Sequence, residues 1–215
     1  APAEAIWPHQ GDLDEDVYGN GVKMNRYIMT PELRWMEYNG IGVICHELGH
    51  ILGAPDFYDI NYDTNGKYNG TGFWDLMGSG DKNNTNHSPA MPNPYIKTEI
   101  YGWTNAIELS GNNKLYTLRP SELDKNSIYK LSTSTSGEYY LLENRQEGFI
   151  PGKGLVIYHV HSDISYSDIN IGHPQKMYVV DASNNLAKPT GSVASYDTIN
   201  SINAPFRSTD SKNIY

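Results

Sequence analysis

Residues 41–52 combine the periodicity of an amphipathic helix with two histidines on its polar side, and this constrains the fold more than any other stretch. The apolar residues recur at helical spacing and form one continuous stripe: Ile41, Ile44, Cys45, Leu48, Ile51 and Leu52. His46 and His50 lie one helical turn apart, so both imidazoles can reach a single point off the helix surface. Gly53 supplies the stop signal. We expect the apolar stripe to anchor the helix in a core and the histidines to face a cleft.

The polar side of this helix has the spacing of a zinc site. His46, Glu47 and His50 form the pattern H-E-x-x-H, in which Zn²⁺ accepts both imidazoles and the glutamate takes a proton from the water at the open position. Catalytic zinc needs a third protein ligand, and Asp56 follows the helix closely enough to fold back under the metal. The alternative for Asp56 is a turn aspartate bonded to its own backbone, with Asp59 or a later carboxylate as the ligand.

A methionine further along the chain extends the pattern. The full spacing H-E-x-x-H-x-x-G-x-x-D is the elongated zinc motif of the metzincins with aspartate in place of the last histidine. Met77 lies in "FWDLMGSG", where a metzincin carries the methionine that forms a hydrophobic floor beneath the metal. Together these features predict a zinc endopeptidase that hydrolyses peptide bonds through a metal-activated water, with Glu47 as general base.

Five segments match one known family in order. They are "AIWPHQ", "GVICHELGHILGAPDFYD", "FWDLMGSG", "YYLLENRQ" and "PGKGLVIYHV", and they spread from residue 5 to residue 160. In these segments the chain resembles the immune inhibitor A-like secreted metallopeptidases. The resemblance implies a zinc-dependent endopeptidase, secreted or exposed on the bacterial cell surface, that acts on protein or peptide substrates. It also implies His46, His50 and Asp56 as zinc ligands, Glu47 as general base and Met77 in the methionine turn.

The rest of the chain predicts an α+β fold whose character changes after residue 103. Before that point, residues 1–29 indicate a loop followed by a short strand, a long loop covers 54–92, and "TPELRWMEYNG" and "NPYIKTEIYGW" carry helix start and stop signals. After it, runs rich in β-branched and aromatic residues predict strands at "KLYTLRP", "SIYKLST", "EYYLLENRQ", "GLVIYHV" and "KMYVVDA". We expect a metzincin-like catalytic region over 1–103 and a β-rich portion over 104–215 packed on it.

The catalytic region is short at its N-terminal end. Only 45 residues precede His46, and they supply one short helix and one strand, too little for a lobe with its own core. We therefore expect the chain to be a fragment that lacks part of the N-terminal lobe, with the apolar surroundings of the motif helix partly uncovered.

A second metal is suggested by the loop that follows the zinc motif. Oxygen-bearing side chains alternate at Asp59, Asn61, Asp63 and Asn65, as in the first half of an EF-hand loop, which indicates Ca²⁺. Gly72 occupies the position where such a loop carries its closing glutamate, so an ordinary polar loop is the alternative.

Two sets of polar residues in the β-rich portion can be explained by a structural role, without a catalytic or binding role. His159 and His161 alternate with apolar residues and share a strand face, whereas His173 is distant, so core or surface histidines are favoured over another metal site. Glu143 and Arg145 also share a strand face, and an intramolecular ion pair explains them.

Composition excludes several classes of partner and leaves one alternative function. The net charge of -9 and the pI of about 5.1 argue against nucleic acid, and no stretch approaches the ~20 apolar residues of a membrane span. Cys45 is the single cysteine, so no internal disulfide can form. The alternative function is a catalytically degenerate, zinc-stabilised binding module, although a structural site has no use for Glu47. The oligomeric state is left open.

Overall fold

The computed structural model describes residues 7–34, 37–61, 70–111, 114–172, 174–180, 182 and 205–206. In these residues it has the α+β fold that the sequence predicts, with mostly strands and few helices. The strands are β1 His9–Gly19, β2 Val22–Met29, β3 Leu33–Arg34, β4 Glu37–Tyr38, β5 Ile107–Glu108, β6 Ile128–Ser132, β7 Glu138–Arg145, β8 Gly154–His161 and β9 Met177–Val180. The helices are α1 Ile41–Ile51, three 3₁₀ turns at Gly72–Trp74, Gly80–Lys82 and Tyr166–Asp168, and a π-helix at Ile96–Ile100.

β1 and β2 form an antiparallel hairpin, so the prediction of a loop and one short strand over residues 1–29 is wrong for β1. Asn20 and Gly21 join the strands with φ angles of 50° and 79°, the left-handed conformations that a type I′ hairpin turn requires. β1 is exposed along most of its length. A strand without a buried face shows no apolar alternation, so the sequence of β1 carries no strand pattern.

A second hairpin replaces the helix predicted for "TPELRWMEYNG". β3 pairs with β4 through Leu33 and Tyr38, and the amide of Asn39 donates to the carbonyl oxygen of Glu32 at 2.8 Å. Leu33 is 51% exposed and Tyr38 is 75% exposed, so these residues offer no buried stripe against which a helix could pack. A helix of this length is marginal without such packing.

α1 confirms the predicted motif helix, but the expected orientation of its apolar stripe is wrong. The large apolar residues Ile41, Ile44, Leu48 and Leu52 are between 44% and 56% exposed. The buried residues of the helix are Gly42, Val43, Glu47 and Gly49. Glycines lie on the buried side because loop backbone approaches the helix there: a Cβ atom at Gly42 would lie 2.0 Å from the carbonyl oxygen of Asp81.

The helix predicted in "NPYIKTEIYGW" is present and is largely a π-helix. Asn93 Oδ1 accepts a hydrogen bond from the amide of Ile96 at 2.9 Å, as expected of a capping residue. The amide of Tyr101 donates to the carbonyl oxygen of Ile96 at 2.8 Å, and Gly102 ends the helix with a φ of 62°.

In the part of the chain that the structure describes, every helix falls short of the length and apolar content that crossing a membrane requires.

Five strands of the described residues form one sheet in the order β5-β6-β7-β8-β9. β5 pairs parallel with β6, and the other neighbours are antiparallel. β6, β7, β8 and β9 confirm four of the predicted strands.

"KLYTLRP" is not a strand. Side chains bind its carbonyl oxygens: Tyr129 Oη donates to Thr117 at 2.9 Å and Ser127 Oγ donates to Arg119 at 2.8 Å. Leu115 is 85% exposed, so the segment lacks the half-buried face that its composition predicted.

The hydrophobic core lies between the inner face of the sheet and the loop that follows α1. It includes Phe57, Trp74, Met77 and Ile96 from the first part of the chain and Leu141, Tyr158, Val160, Met177 and Val179 from the sheet. Hydrogen bonds also connect the two parts of the chain. Asn170 Nδ2 donates to the carbonyl oxygen of Phe57 at 3.0 Å, and the amide of Val179 donates to the carbonyl oxygen of Gly70 at 3.2 Å. The sheet thus fixes the loop that carries the predicted ligand Asp56.

Candidate active site

The three predicted zinc ligands converge at the C-terminal half of α1. One atom from each of His46, His50 and Asp56 lies within 4.8 Å of the other two. Asp56 Oδ1 is 3.1 Å from His46 Nε2 and 3.4 Å from His50 Nε2. Atoms bound at ~2.0–2.1 Å to a tetrahedral zinc ion lie about 3.3 Å apart, so these separations suit one ion held between the three groups.

Both histidine rings are oriented by backbone carbonyl groups. His46 Nδ1 lies 2.8 Å from the carbonyl oxygen of Leu76, and His50 Nδ1 lies 2.8 Å from that of Ala54. A carbonyl oxygen can only accept, so each Nδ1 carries a proton and donates it. In the neutral tautomer each Nε2 then presents its lone pair to the point where the three groups meet, which is the usual arrangement of histidine metal ligands.

Asp56 Oδ1 has the environment of a cation ligand. The atom is buried, and no donor of the described residues is aligned to form a hydrogen bond with it. Burial raises the pKa of Asp56, but contact with the two imidazoles holds it well below its usual range. Burial lowers the pKa of His46, and contact with Asp56 raises it to about 9. The residues present therefore fit a divalent metal, which would take the place of imidazole protons beside this oxygen.

Glu47 lies next to His46 on the buried side of α1. It is 6% exposed. Burial raises its pKa, while the nearby imidazoles of His46 and His50 oppose the rise. A buried carboxyl group with a raised pKa beside candidate metal ligands can act as a general base.

Asp75 organises the turn that carries Leu76 and Met77, and it is not among the site residues predicted from the sequence. The fully buried carboxylate accepts hydrogen bonds from Thr71 Oγ1 at 2.8 Å, from the amide and Nδ2 of Asn93 at 2.9 and 2.8 Å, and from the amide of Met77 at 3.2 Å. Burial raises its pKa in spite of these bonds. Its position two residues before the methionine in "FWDLMGSG" was the available signal.

Met77 packs directly against the motif helix. Its side chain is fully buried, and a Cβ atom at Gly49 would lie 2.5 Å from Met77 Sδ. The carbonyl oxygen of Met77 accepts a hydrogen bond from the amide of Phe57 at 2.7 Å. The turn is thereby held against both α1 and the segment that carries Asp56.

An open cleft of about 390 Å³ reaches His50 from the hairpin side. It is lined by Gln10, Asp12, Arg26, His50, Gly53, Ala54, Pro55 and Tyr166. Arg26 joins the hairpin to the helix, because its guanidinium donates to the carbonyl oxygen of Ile51 at 3.2 Å and pairs with Asp12 at 3.4 Å. The β1–β2 hairpin therefore forms one wall of the cleft.

The residues predicted to bind calcium are only partly described. Asp59 is buried and Asn61 is exposed, and both have interaction partners. Asp63 and Asn65 lie outside the described residues, as does His173. The calcium site stays a prediction.

A peptidase family model matches the part of the chain that carries this cluster. Residues 2–102 match the immune inhibitor A peptidase M6 family, catalytic domain. Over 87 residues the chain is 33% identical to the pre-pro-metalloprotease PrtV from two strains of Vibrio cholerae serotype O1, a match that covers 36% of this chain and 9% of that protein. No solved structure matches the chain significantly. The resemblance expected from the motifs is confirmed over this segment, and the family suggests metallopeptidase activity.

Proposed function

We propose that the chain carries the active site of a zinc-dependent metalloendopeptidase, with His46, His50 and Asp56 as zinc ligands and Glu47 as general base. The observation that supports this most strongly is the meeting of two Nε2 atoms and one carboxylate oxygen at separations of 3.1 and 3.4 Å. The match of residues 2–102 to a peptidase family supports the same function.

The proposed mechanism gives each residue one task. When bound, zinc polarises the scissile carbonyl group and lowers the pKa of a water molecule. Glu47 accepts the proton of the attacking water and delivers it to the nitrogen of the leaving amine. A raised pKa suits both steps, because the carboxyl group must take the proton and later release it near neutral pH. The carbonyl groups of Leu76 and Ala54 keep His46 and His50 in one tautomer.

The proposed substrate is an extended stretch of protein or peptide in the cleft between the β1–β2 hairpin and residues 53–55. Met77 is the floor beneath the metal, as in a metzincin, and Ca²⁺ binding by the Asp59 loop belongs to the same proposal. A secreted or cell-surface location rests on the family resemblance.

Replacing Glu47 with Gln tests the general base. Glu47→Gln keeps the shape of the side chain and both histidines, so zinc content should match that of the wild type. Hydrolysis of casein or gelatin should fall by about 10²–10⁴-fold, the range that general acid–base catalysis contributes. Exposed Glu99→Gln is the matched control and should keep full activity.

Removal of the metal by a chelator distinguishes the proposed peptidase from the alternative function, a catalytically degenerate, zinc-stabilised binding module. Removing the metal should abolish hydrolysis, and added Zn²⁺ should restore it. Zinc binding without hydrolysis in the wild-type chain would favour the degenerate module, and activity that persists in Glu47→Gln would exclude Glu47 as the base.

A further inference from the structure

The outer face of the sheet carries a second cluster of metal-binding side chains. His159 and His161 of β8 alternate with Tyr158 and Val160, which are buried in the core on the inner face. Glu138 of β7 lies directly opposite His161 in the strand register. One atom from each of the three outer residues lies within 4.8 Å of the other two. Strand pairing thus adds a carboxylate to the two histidines.

The three side chains lie close together, and the paired strands that carry them have a regular backbone. Glu138 Oε1 lies 2.6 Å from His159 Nε2, and the rings of His159 and His161 have centroids 4.5 Å apart with planes at 46°. Ligand atoms around a tetrahedral zinc ion lie about 3.3 Å apart. Small side-chain rotations at Glu138 and His161 would bring all three groups to this spacing, while the β7–β8 ladder keeps the backbone fixed.

Aromatic neighbours hold the central histidine in place. His159 is 8% exposed. Its Nδ1 lies 2.6 Å from Tyr178 Oη, and its ring stacks on that of Tyr140 with centroids 4.4 Å apart and planes at 17°. The hydrogen bond at Nδ1 fixes the orientation of the ring and directs Nε2 toward Glu138. Metal-bound histidines are generally oriented in this way by a hydrogen bond at their other ring nitrogen.

We propose that Glu138, His159 and His161 form a second metal site, which binds Zn²⁺. Two imidazoles and one carboxylate suit this cation, whereas Ca²⁺ and Mg²⁺ prefer oxygen ligands. The bound ion replaces the hydrogen bond between His159 and Glu138 and joins the beginning of β7 to the end of β8. The loop between these strands lies at their other end, so the ion closes the open end of the hairpin.

Zinc stoichiometry tests the second site. The 215-residue chain is stripped with a chelator, equilibrated with ZnCl₂ in millimolar CaCl₂ to fill oxygen-rich sites, desalted and assayed for zinc by mass spectrometry. The wild type should retain one zinc equivalent more than His161→Ala or Glu138→Gln. Exposed His87→Ala should retain the wild-type amount. Equal zinc in the wild type and in both cluster variants would overturn the proposal.

A second measurement covers the case in which a cluster variant does not fold. In a chain with His46→Ala and His50→Ala, added Zn²⁺ should still bind and raise the melting temperature, because an ion that binds the folded state stabilises it. If this chain takes up no zinc and its melting temperature is unchanged, the second site does not exist. Because this measurement omits the H-E-x-x-H histidines, its outcome is independent of the proposed peptidase function.

Discussion

Asp56 is the residue on which the chemistry of the candidate metal centre depends most. A carboxylate in place of a third neutral imidazole makes the ligand set more anionic, which strengthens attraction for Zn²⁺ and weakens the ion as a Lewis acid. The sequence predicted Asp56 as the third ligand because it follows the turn at Gly53 closely enough to fold back under the metal. It could not identify Leu76 and Ala54, because their contribution is a carbonyl group that every residue has.

Removing this carboxylate should weaken zinc binding far more than it weakens the fold. Asp56→Ala leaves two imidazole ligands, so the zinc dissociation constant should rise by more than ~100-fold, beyond the loss typical of an outer-shell partner. Titration with a competing zinc indicator measures the change. Exposed Asp168→Ala is the control and should keep the wild-type affinity. Unchanged affinity in Asp56→Ala would show that another residue supplies the third ligand.

At the level of secondary structure, periodicity predicted which residues share a face but not what that face contacts. The bounds of α1 followed from its spacing and from Gly53, and yet the stripe of Ile44 and Leu48 is half-exposed while Gly42 and Gly49 are buried. Loop backbone and Met77 approach the helix where side chains are absent. Such an approach depends on tertiary contacts, which a hydrophobic pattern does not encode.

Gly49→Ala tests this close approach. In a helix, glycine to alanine normally stabilises by about 1 kcal/mol, but here the new methyl group would lie 2.5 Å from Met77 Sδ. Overpacking of this kind costs about 1–3 kcal/mol, so we expect a net loss of stability, measured by urea unfolding. The loss should shrink when Met77→Ala is added, which a double-mutant cycle reveals.

Gly172→Ala is the control for this experiment. No described atom lies within 4 Å of its built Cβ position, and its stability should stay near that of the wild type. A stabilising Gly49→Ala substitution would contradict the close packing of Met77 on α1.

Across the whole molecule, a buried ionic network connects the sheet to the turn beside the candidate metal ligands. Glu143 of β7 accepts hydrogen bonds from Lys97 at 2.9 Å, Arg145 at 3.0 Å and Tyr158 at 2.7 Å. Arg145 also donates to the carbonyl oxygen of Trp74 at 3.1 Å. The predicted ion pair between Glu143 and Arg145 is confirmed. The strand period predicted their shared face, but Lys97 and Trp74 are distant in sequence, and only the folded chain brings them to the pair.

Glu143 should stabilise the fold above acidic pH. Burial raises its pKa, and the charges of Lys97 and Arg145 lower it to about 2, below the ordinary value of 4.5. A carboxyl group whose pKa is lower in the folded chain contributes its full stability above pH 4.5 and loses it as the pH falls towards 2.

Glu143→Gln should therefore destabilise the chain strongly at neutral pH and much less in acid. Removing one partner from a buried ion pair leaves Arg145 and Lys97 without their counter-charge and costs about 3–5 kcal/mol. Urea unfolding at pH 7 and at successive values below pH 4.5 measures the difference from the wild type, which should shrink as Glu143 becomes protonated. Exposed Glu147→Gln is the matched control and should change stability little at any pH. A loss in Glu143→Gln that is the same at pH 7 and in acid would show that the carboxyl group acts through its shape and not through its charge.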